Sequence, residues 1–169
     1  LISLKKLERK LEIAKSEKKL PKILVPVHLC GTSCDMKKIH DLSKKYKFSI
    51  IEDASHALGG KYESQYIGSC KYSDITVFSF HPVKIITTGE GGIATTNRED
   101  LREKMELLRS HGIVKDTKKF ISPAAGLWSY EQQSLGFNYR LTDIQASLGK
   151  SQLKRLDNFV KKRNQIRSN

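Results

Sequence analysis

The chain has 169 residues, 38% of them hydrophobic and 29% charged, with 11 glycines and 4 prolines. That length supports one domain with a real core, since about 150 residues bury about 70% of their unfolded surface, and the composition excludes a disordered, collagen-like or disulfide-stapled protein. The balance of 31 Lys and Arg against 18 Asp and Glu gives +13, which raises polyanion binding as a class to weigh.

In chain order, Leu4, Leu7, Leu11 and Ala14 recur at helical spacing behind a Ser3 cap and predict a helix over residues 3–17. Lys22–Leu29 is a short apolar run that reads as a strand buried on both faces, interrupted by Pro26. Met36, Ile39, Leu42 and Tyr46 form the inward face of a second helix, and Phe48–Asp53 is the next strand. Strand, helix and strand in this order are the βαβ unit of a parallel sheet. A hairpin is expected through Tyr62–Ile67, then strands over Ser73–Phe80 and Gly91–Thr96. Asn97 is expected to cap a helix carrying Leu101, Met105 and Leu108 and ending at Gly112. Residues 113–135 lack a period and read as a long excursion, in which Trp128 and Tyr130 are expected to cover a core edge. Thr142–Gln145 is a capping box for the last helix, with Ile144 and Leu148 facing inward.

No apolar run approaches the ~18 residues of a membrane span, and no basic start followed by an apolar stretch marks a secretory signal, so the expected compartment is the cytoplasm. Cys30, Cys34 and Cys70 suit a reducing interior. Cys30 and Cys34, with His28 nearby, read as a structural turn and not as a metal site. Of the basic residues 23 are Lys and 8 are Arg. They lie on helical patterns without interleaved aromatics, so solvated helix faces account for most of the charge, and neither nucleic acid nor membrane is expected as a partner. The chain opens on Leu1 and stops at Asn169 inside a helical pattern set by Leu153, Leu156 and Val160, which predicts a piece of a longer protein.

Two features carry chemistry. Asp53 ends an otherwise apolar strand, and open α/β sheets place ligands at the carboxyl ends of their strands; a cap for the turn Ala54-Ser55-His56 is the alternative. Lys84 lies between Val83 and Ile85-Ile86 in the segment Ser79–Gly92. An ammonium kept from water there has a lowered pKa and becomes a nucleophilic amine. Ser79, His81, Thr87, Thr88 and the glycines around Glu90 offer groups for a phosphate, although a plain turn explains the glycines equally well. A cleft lysine with a strand-end aspartate meets the needs of pyridoxal phosphate: the lysine holds the aldehyde as an imine, and the aspartate keeps the ring nitrogen protonated.

With these residues in place, Glu52–Gly59, Ser79–Gly92, Arg109–Gly112 and Gly136–Ala146 resemble, in order, the signature stretches of the DegT/DnrJ/EryC1/StrS sugar aminotransferases. The branch they resemble most aminates UDP-linked 4-keto-6-deoxy sugars in pseudaminic acid biosynthesis. The resemblance implies a fold-type I pyridoxal phosphate enzyme, α/β with a mostly parallel sheet and flanking helices. Residues 1–169 would form the central part of its large domain, without the N-terminal segment or the C-terminal small domain, and would be inactive alone. It further implies that Lys84 bonds the cofactor and shuttles the proton, Asp53 pairs with the ring nitrogen, His56 touches the 3-hydroxyl and Ser79 binds the phosphate. Asn138 would reach that phosphate in the other subunit of a homodimer with a shared active site, and Arg140 would meet substrate charge. The substrates implied are a nucleotide-linked keto sugar and an amino donor, glutamate, with no metal. Another nucleotide 4-keto sugar is the nearest alternative; a non-catalytic, basic nucleic-acid-binding protein is the alternative of a different class, marked by steep salt dependence.

Overall fold

The computed structural model describes residues 1–168. Two compact units are present: residues 1–97 with the helical segment from Asp143 onward, and Arg98–Thr142.

The first unit is built on a four-stranded sheet in the order β1-β2-β5-β6, with β1 Ile23–Leu24, β2 Ser49–Asp53, β5 Ile75–Ser79 and β6 Gly92–Thr95. The β1/β2 and β2/β5 pairs are parallel and β5/β6 is antiparallel. Helix α1 (Leu4–Ser16) begins where Ser3 accepts from the Lys6 amide, and α2 (Met36–Tyr46) begins where Asp35 accepts from the Lys38 amide. Their apolar stripes meet the sheet in one core of Leu7, Leu11, Met36, Ile39, Phe48 and Ile50. Burying each such side chain contributes about 1.5–3 kcal/mol. A two-stranded hairpin, β3 Lys61–Tyr62 with β4 Gln65–Tyr66, projects between β2 and β5 in sequence. Helices α4 (Asp143–Leu153) and α5 (Leu156–Ser168) complete the unit.

In the second unit, α3 (Glu99–Arg109) is followed by β7 Ile113–Val114, which pairs antiparallel with β8 Glu131–Gln132. Gly112 closes the helix by donating to the Leu107 carbonyl at 2.9 Å. Residues 137–139 run back along the helix end, with Phe137, His111 and Tyr139 exchanging backbone bonds with Leu108, Phe137 and Arg109.

Five expectations are corrected. The run 22–29 is not a continuous strand buried on both faces: Ile23–Leu24 form β1, the pairing is interrupted and resumes as a single bridge between Val27 and Asp53, and Ile23, Val25 and Val27 are exposed. Proline 26 lacks the N–H that would continue the ladder, and β1 is an edge strand. Asn97 does not cap a helix; its amide donates to the Ser69 carbonyl at 2.8 Å and the Cys70 carbonyl at 3.4 Å, and Arg98 precedes α3. Ile144 and Leu148 do not face inward, being 85% and 41% exposed. The final helical pattern breaks at Lys154-Arg155 into α4 and α5. Finally, Trp128 and Tyr130 are exposed and cover no core edge; their segment is held by local bonds such as Gly126 N–H to Ser129 Oγ at 3.0 Å.

Candidate active site

Because β2 and β5 run parallel, their carboxyl ends share one edge of the sheet. Asp53, the last residue of β2, pairs in register with Val77, and Ser79 ends β5 two residues further on. The chain then makes a compact loop before returning as β6. Phe80 anchors it twice: its carbonyl accepts from the Thr88 amide (3.1 Å) and from Thr87 Oγ1 (2.8 Å), and its own amide donates to the Gly91 carbonyl (2.8 Å). Lys84 sits at the tip, its amide bonded to the His81 carbonyl at 3.0 Å. Helix α4 steadies the loop from outside: Gln152 Oε1 accepts from the Thr87 amide, and Gln145 Nε2 donates to the Glu90 carbonyl, each at 3.0 Å.

The Asp53 carboxylate uses one oxygen locally. Its Oδ1 accepts from the Ser55 amide at 3.0 Å and from Ser55 Oγ at 2.6 Å, so the turn-capping alternative is realised. Among the described residues Oδ2 has no protein donor. The hydroxyl of Ser55 is the main cause that holds the Asp53 pKa below the ordinary carboxylate value; slight burial opposes it, and His56 and Lys84 add favourable charge. Asp53 is therefore held as an anion. Lys84 is half-buried, so the exclusion from water expected from its apolar neighbours is only partial.

His56 is exposed and accepts, at 3.4 Å, the Cys30 amide on Nδ1. Cys30 belongs to a turn that passes close to it, where Gly31 (φ +82) has no room for a side chain: a Cβ would lie 3.1 Å from the His56 carbonyl oxygen. The His28–Cys34 stretch forms this turn, with its three-residue 3-10 helix, and the cysteines are free. Ser79 Oγ accepts the His81 amide at 3.4 Å.

Beneath the turn lies a buried polar network that sequence reasoning missed. His28 Nε2 donates to Glu52 Oε2 at 2.7 Å while Nδ1 accepts the Cys34 amide at 3.1 Å. The other Glu52 oxygen accepts from Ser73 and from Thr76, the latter at 2.9 Å. The backbone of His28 donates to the Asp53 carbonyl and the Asp53 amide to the Pro26 carbonyl, at 3.0 and 2.9 Å. A glutamate inside an otherwise apolar strand was the available signal, masked by the aspartate that follows it.

Asp53, His56, Ser79 and Lys84 thus belong to one sheet edge of the first unit. Asn138 and Arg140 lie in the second: Asn138 bridges Ser110, its Oδ1 accepts from Arg140 Nε at 3.1 Å, and an Arg140 amine nitrogen lies 3.4 Å from His111 Nε2. Of these, His56 and Lys84 line a cleft of ≈ 620 Å³ with, from α5, Arg163 and Arg167; Asp53 and Ser79 do not line it.

The model of the DegT/DnrJ/EryC1/StrS aminotransferase family matches residues 1–169. The chain belongs to this family. A curated relative, the UDP-4-amino-4,6-dideoxy-N-acetyl-beta-L-altrosamine transaminase of Campylobacter jejuni, is 46% identical over 161 residues, 94% of this chain and 40% of that protein. The family member described here thus spans about two fifths of the length of the curated relatives it matches. Among solved structures, Helicobacter pylori PseC, an aminotransferase involved in the biosynthesis of pseudoaminic acid, superposes with TM-score 0.73 at 40% identity, over 82% of this chain and 34% of that one. Spr1654 of Streptococcus pneumoniae in its PLP-form gives 0.65 at 32% identity, over 81% and 37%. The α/β architecture, with its mostly parallel sheet, is that of these aminotransferases.

Proposed function

We propose that the protein is a pyridoxal phosphate-dependent aminotransferase that moves an amino group, from glutamate, to C4 of a UDP-linked 4-keto-6-deoxy-N-acetylhexosamine in pseudaminic acid biosynthesis. The observation that carries this reading is the placement of Asp53 at the end of β2 and of Lys84 in the loop after β5, the parallel neighbour of β2. The residues suit the cofactor: an anionic carboxylate with one oxygen uncommitted, and a lysine that lines a cleft in the loop after the neighbouring strand. The activities of the Campylobacter relative and of PseC support the sugar, and the PLP-form of Spr1654 supports the cofactor.

Bound pyridoxal phosphate supplies an aldehyde that condenses with amines and a ring that accepts the electron pair left when a C–H bond breaks. Asp53 Oδ2 holds the proton on the ring nitrogen, which is what makes the ring accept electrons. His56, three residues on, would touch the 3-hydroxyl, and Ser79 Oγ would donate to the phosphate. With the cofactor bound, the free Lys84 amine would take the proton from the donor Cα and later deliver one to sugar C4, so a single side chain would set the configuration there. Asn138 reaches the phosphate across a homodimer, and Arg140 meets substrate charge. In this reading residues 1–169 are part of the cofactor-binding large domain.

Borohydride reduction of the full-length protein with its cofactor, followed by peptide mapping, tests the assignment. The expected result is a pyridoxyl adduct on Lys84, absent in Lys84→Ala; an adduct on any other lysine refutes it.

A further inference from the structure

Resting on the aminotransferase reading above, we propose that Arg163, Arg167 and Lys61 form a diphosphate-binding site in the cleft that Lys84 also lines, where they seat the nucleotide half of the substrate. The cleft lining contains no Asp or Glu, although the chain has 18 of them. Among the described residues, Lys61, Lys84, Arg163 and Arg167 have no carboxylate within ion-pair distance, whereas Lys45, Arg98, Arg102 and Lys119 all do. Unneutralised cations gathered in a concave site raise the local concentration of anions far more than the same charges spread over a convex face.

Packing, and not charge, fixes where the two arginines lie. Gly59, with φ +78, turns the chain after β2, and a Cβ there would sit 3.1 Å from Val160 Cγ2 and 3.3 Å from Leu156. Helix α5 is therefore laid directly on this turn. Val160, Arg163, Asn164 and Arg167 follow at i, i+3, i+4 and i+7, which is one face of a helix. The contact that seats Val160 on Gly59 carries Arg163 and Arg167 over the cleft, and Lys61 joins them from the start of β3, two residues after Gly59.

Arg163 and Arg167 are four residues, about 6 Å, apart along the helix axis, a spacing that lets each guanidinium bind one of two linked phosphoryl groups through paired N–H bonds. The shared chemistry is a phosphoryl anion, and the cofactor also carries one. A single phosphate ester already has the Ser79 hydroxyl at the end of β5, beside Lys84. A nucleoside diphosphate sugar carries its negative charge on the diphosphate alone, one hexose ring away from the reacting carbon. The ≈ 620 Å³ of the cleft lies within the range of about 300–1,000 Å³ usual for small-molecule sites.

The test uses the full-length protein and its R163Q/R167Q and Lys61→Gln variants; all three side chains are exposed, so the changes bury nothing. UDP and inorganic pyrophosphate are titrated calorimetrically, pyridoxal phosphate by absorbance, and glutamate in a single-turnover half-reaction. In R163Q/R167Q, UDP and pyrophosphate should bind about 10- to 100-fold more weakly, with a shallower salt dependence, while the other two probes are unchanged. Unaltered UDP affinity overturns the site, as does a loss confined to pyridoxal phosphate or to glutamate, which would assign the cations to those anions. If UDP binding fails in the variants but no adduct forms on Lys84, the diphosphate site stands without the aminotransferase reading; if the adduct forms and UDP affinity is unmoved, the reading stands without the site.

Discussion

His28 and Glu52 meet at 2.7 Å in the interior, the imidazole fully buried and the carboxylate nearly so. Their backbones lie on β2 and on the chain just after β1, so the pair ties the turn that touches His56 to the strand that ends in Asp53. Removing one partner leaves the other buried without compensation, which typically costs about 3–5 kcal/mol. His28→Ala is expected to lower the denaturant midpoint by a corresponding amount, read by urea unfolding of the full-length protein. A loss below about 1 kcal/mol would mean that water replaces the imidazole.

The pH dependence of stability follows from Glu52. Burial works against its anion, but donors from His28, Ser73 and Thr76 outweigh burial and hold its pKa below the ordinary value of 4.5. A group with a depressed folded pKa stabilises fully above its unfolded pKa, and that contribution disappears as pH falls through the folded value. Thermal unfolding between pH 7 and 3 should therefore show stability constant with respect to Glu52 down to about pH 5 and falling below it. In Glu52→Gln that part of the decline is missing, although the variant starts from a lower stability.

Asp53→Asn keeps the side-chain shape and the oxygen that caps Ser55, and removes the negative charge. The half-reaction with glutamate should slow by about 10²-fold or more, while borohydride still traps the cofactor on Lys84. An unchanged half-reaction would mean that Asp53 serves the turn alone.

Gln152 acts at a distance from Lys84, by accepting the Thr87 amide at 3.0 Å. Gln152→Ala leaves a partly buried N–H without its partner, at a cost of about 1–3 kcal/mol. Hydrogen exchange should show protection lost at Thr87 before any change in β2 or β5; equal loss across all three would indicate general destabilisation.

Some of this was legible before folding was considered. Ser3 and Asp35 are local helix starts, the stripe of Met36, Ile39 and Tyr46 is a local period, and each reappears in the structure because its cause lies within a few residues. The placement of Asp53 and Lys84 at one end of the sheet was also legible, since a strand-end carboxylate and a lysine in the loop after a parallel neighbouring strand share one sheet edge. The Glu52 network was not: its partners His28, Ser73 and Thr76 lie 21–24 residues away in sequence.

The sequence by itself thus determined most of the order of helices and strands and the sheet edge that bears the candidate residues, because hydrophobic period, capping and parallel connection act over short range. The tertiary structure alone decided that Asn97 serves the loop at Ser69 instead of a helix, that Ile144 faces outward, and that α5 brings Arg163 and Arg167 to the cleft of Lys84. Each of these depends on which distant surface a side chain meets, and a local pattern contains no information about a partner that only packing supplies.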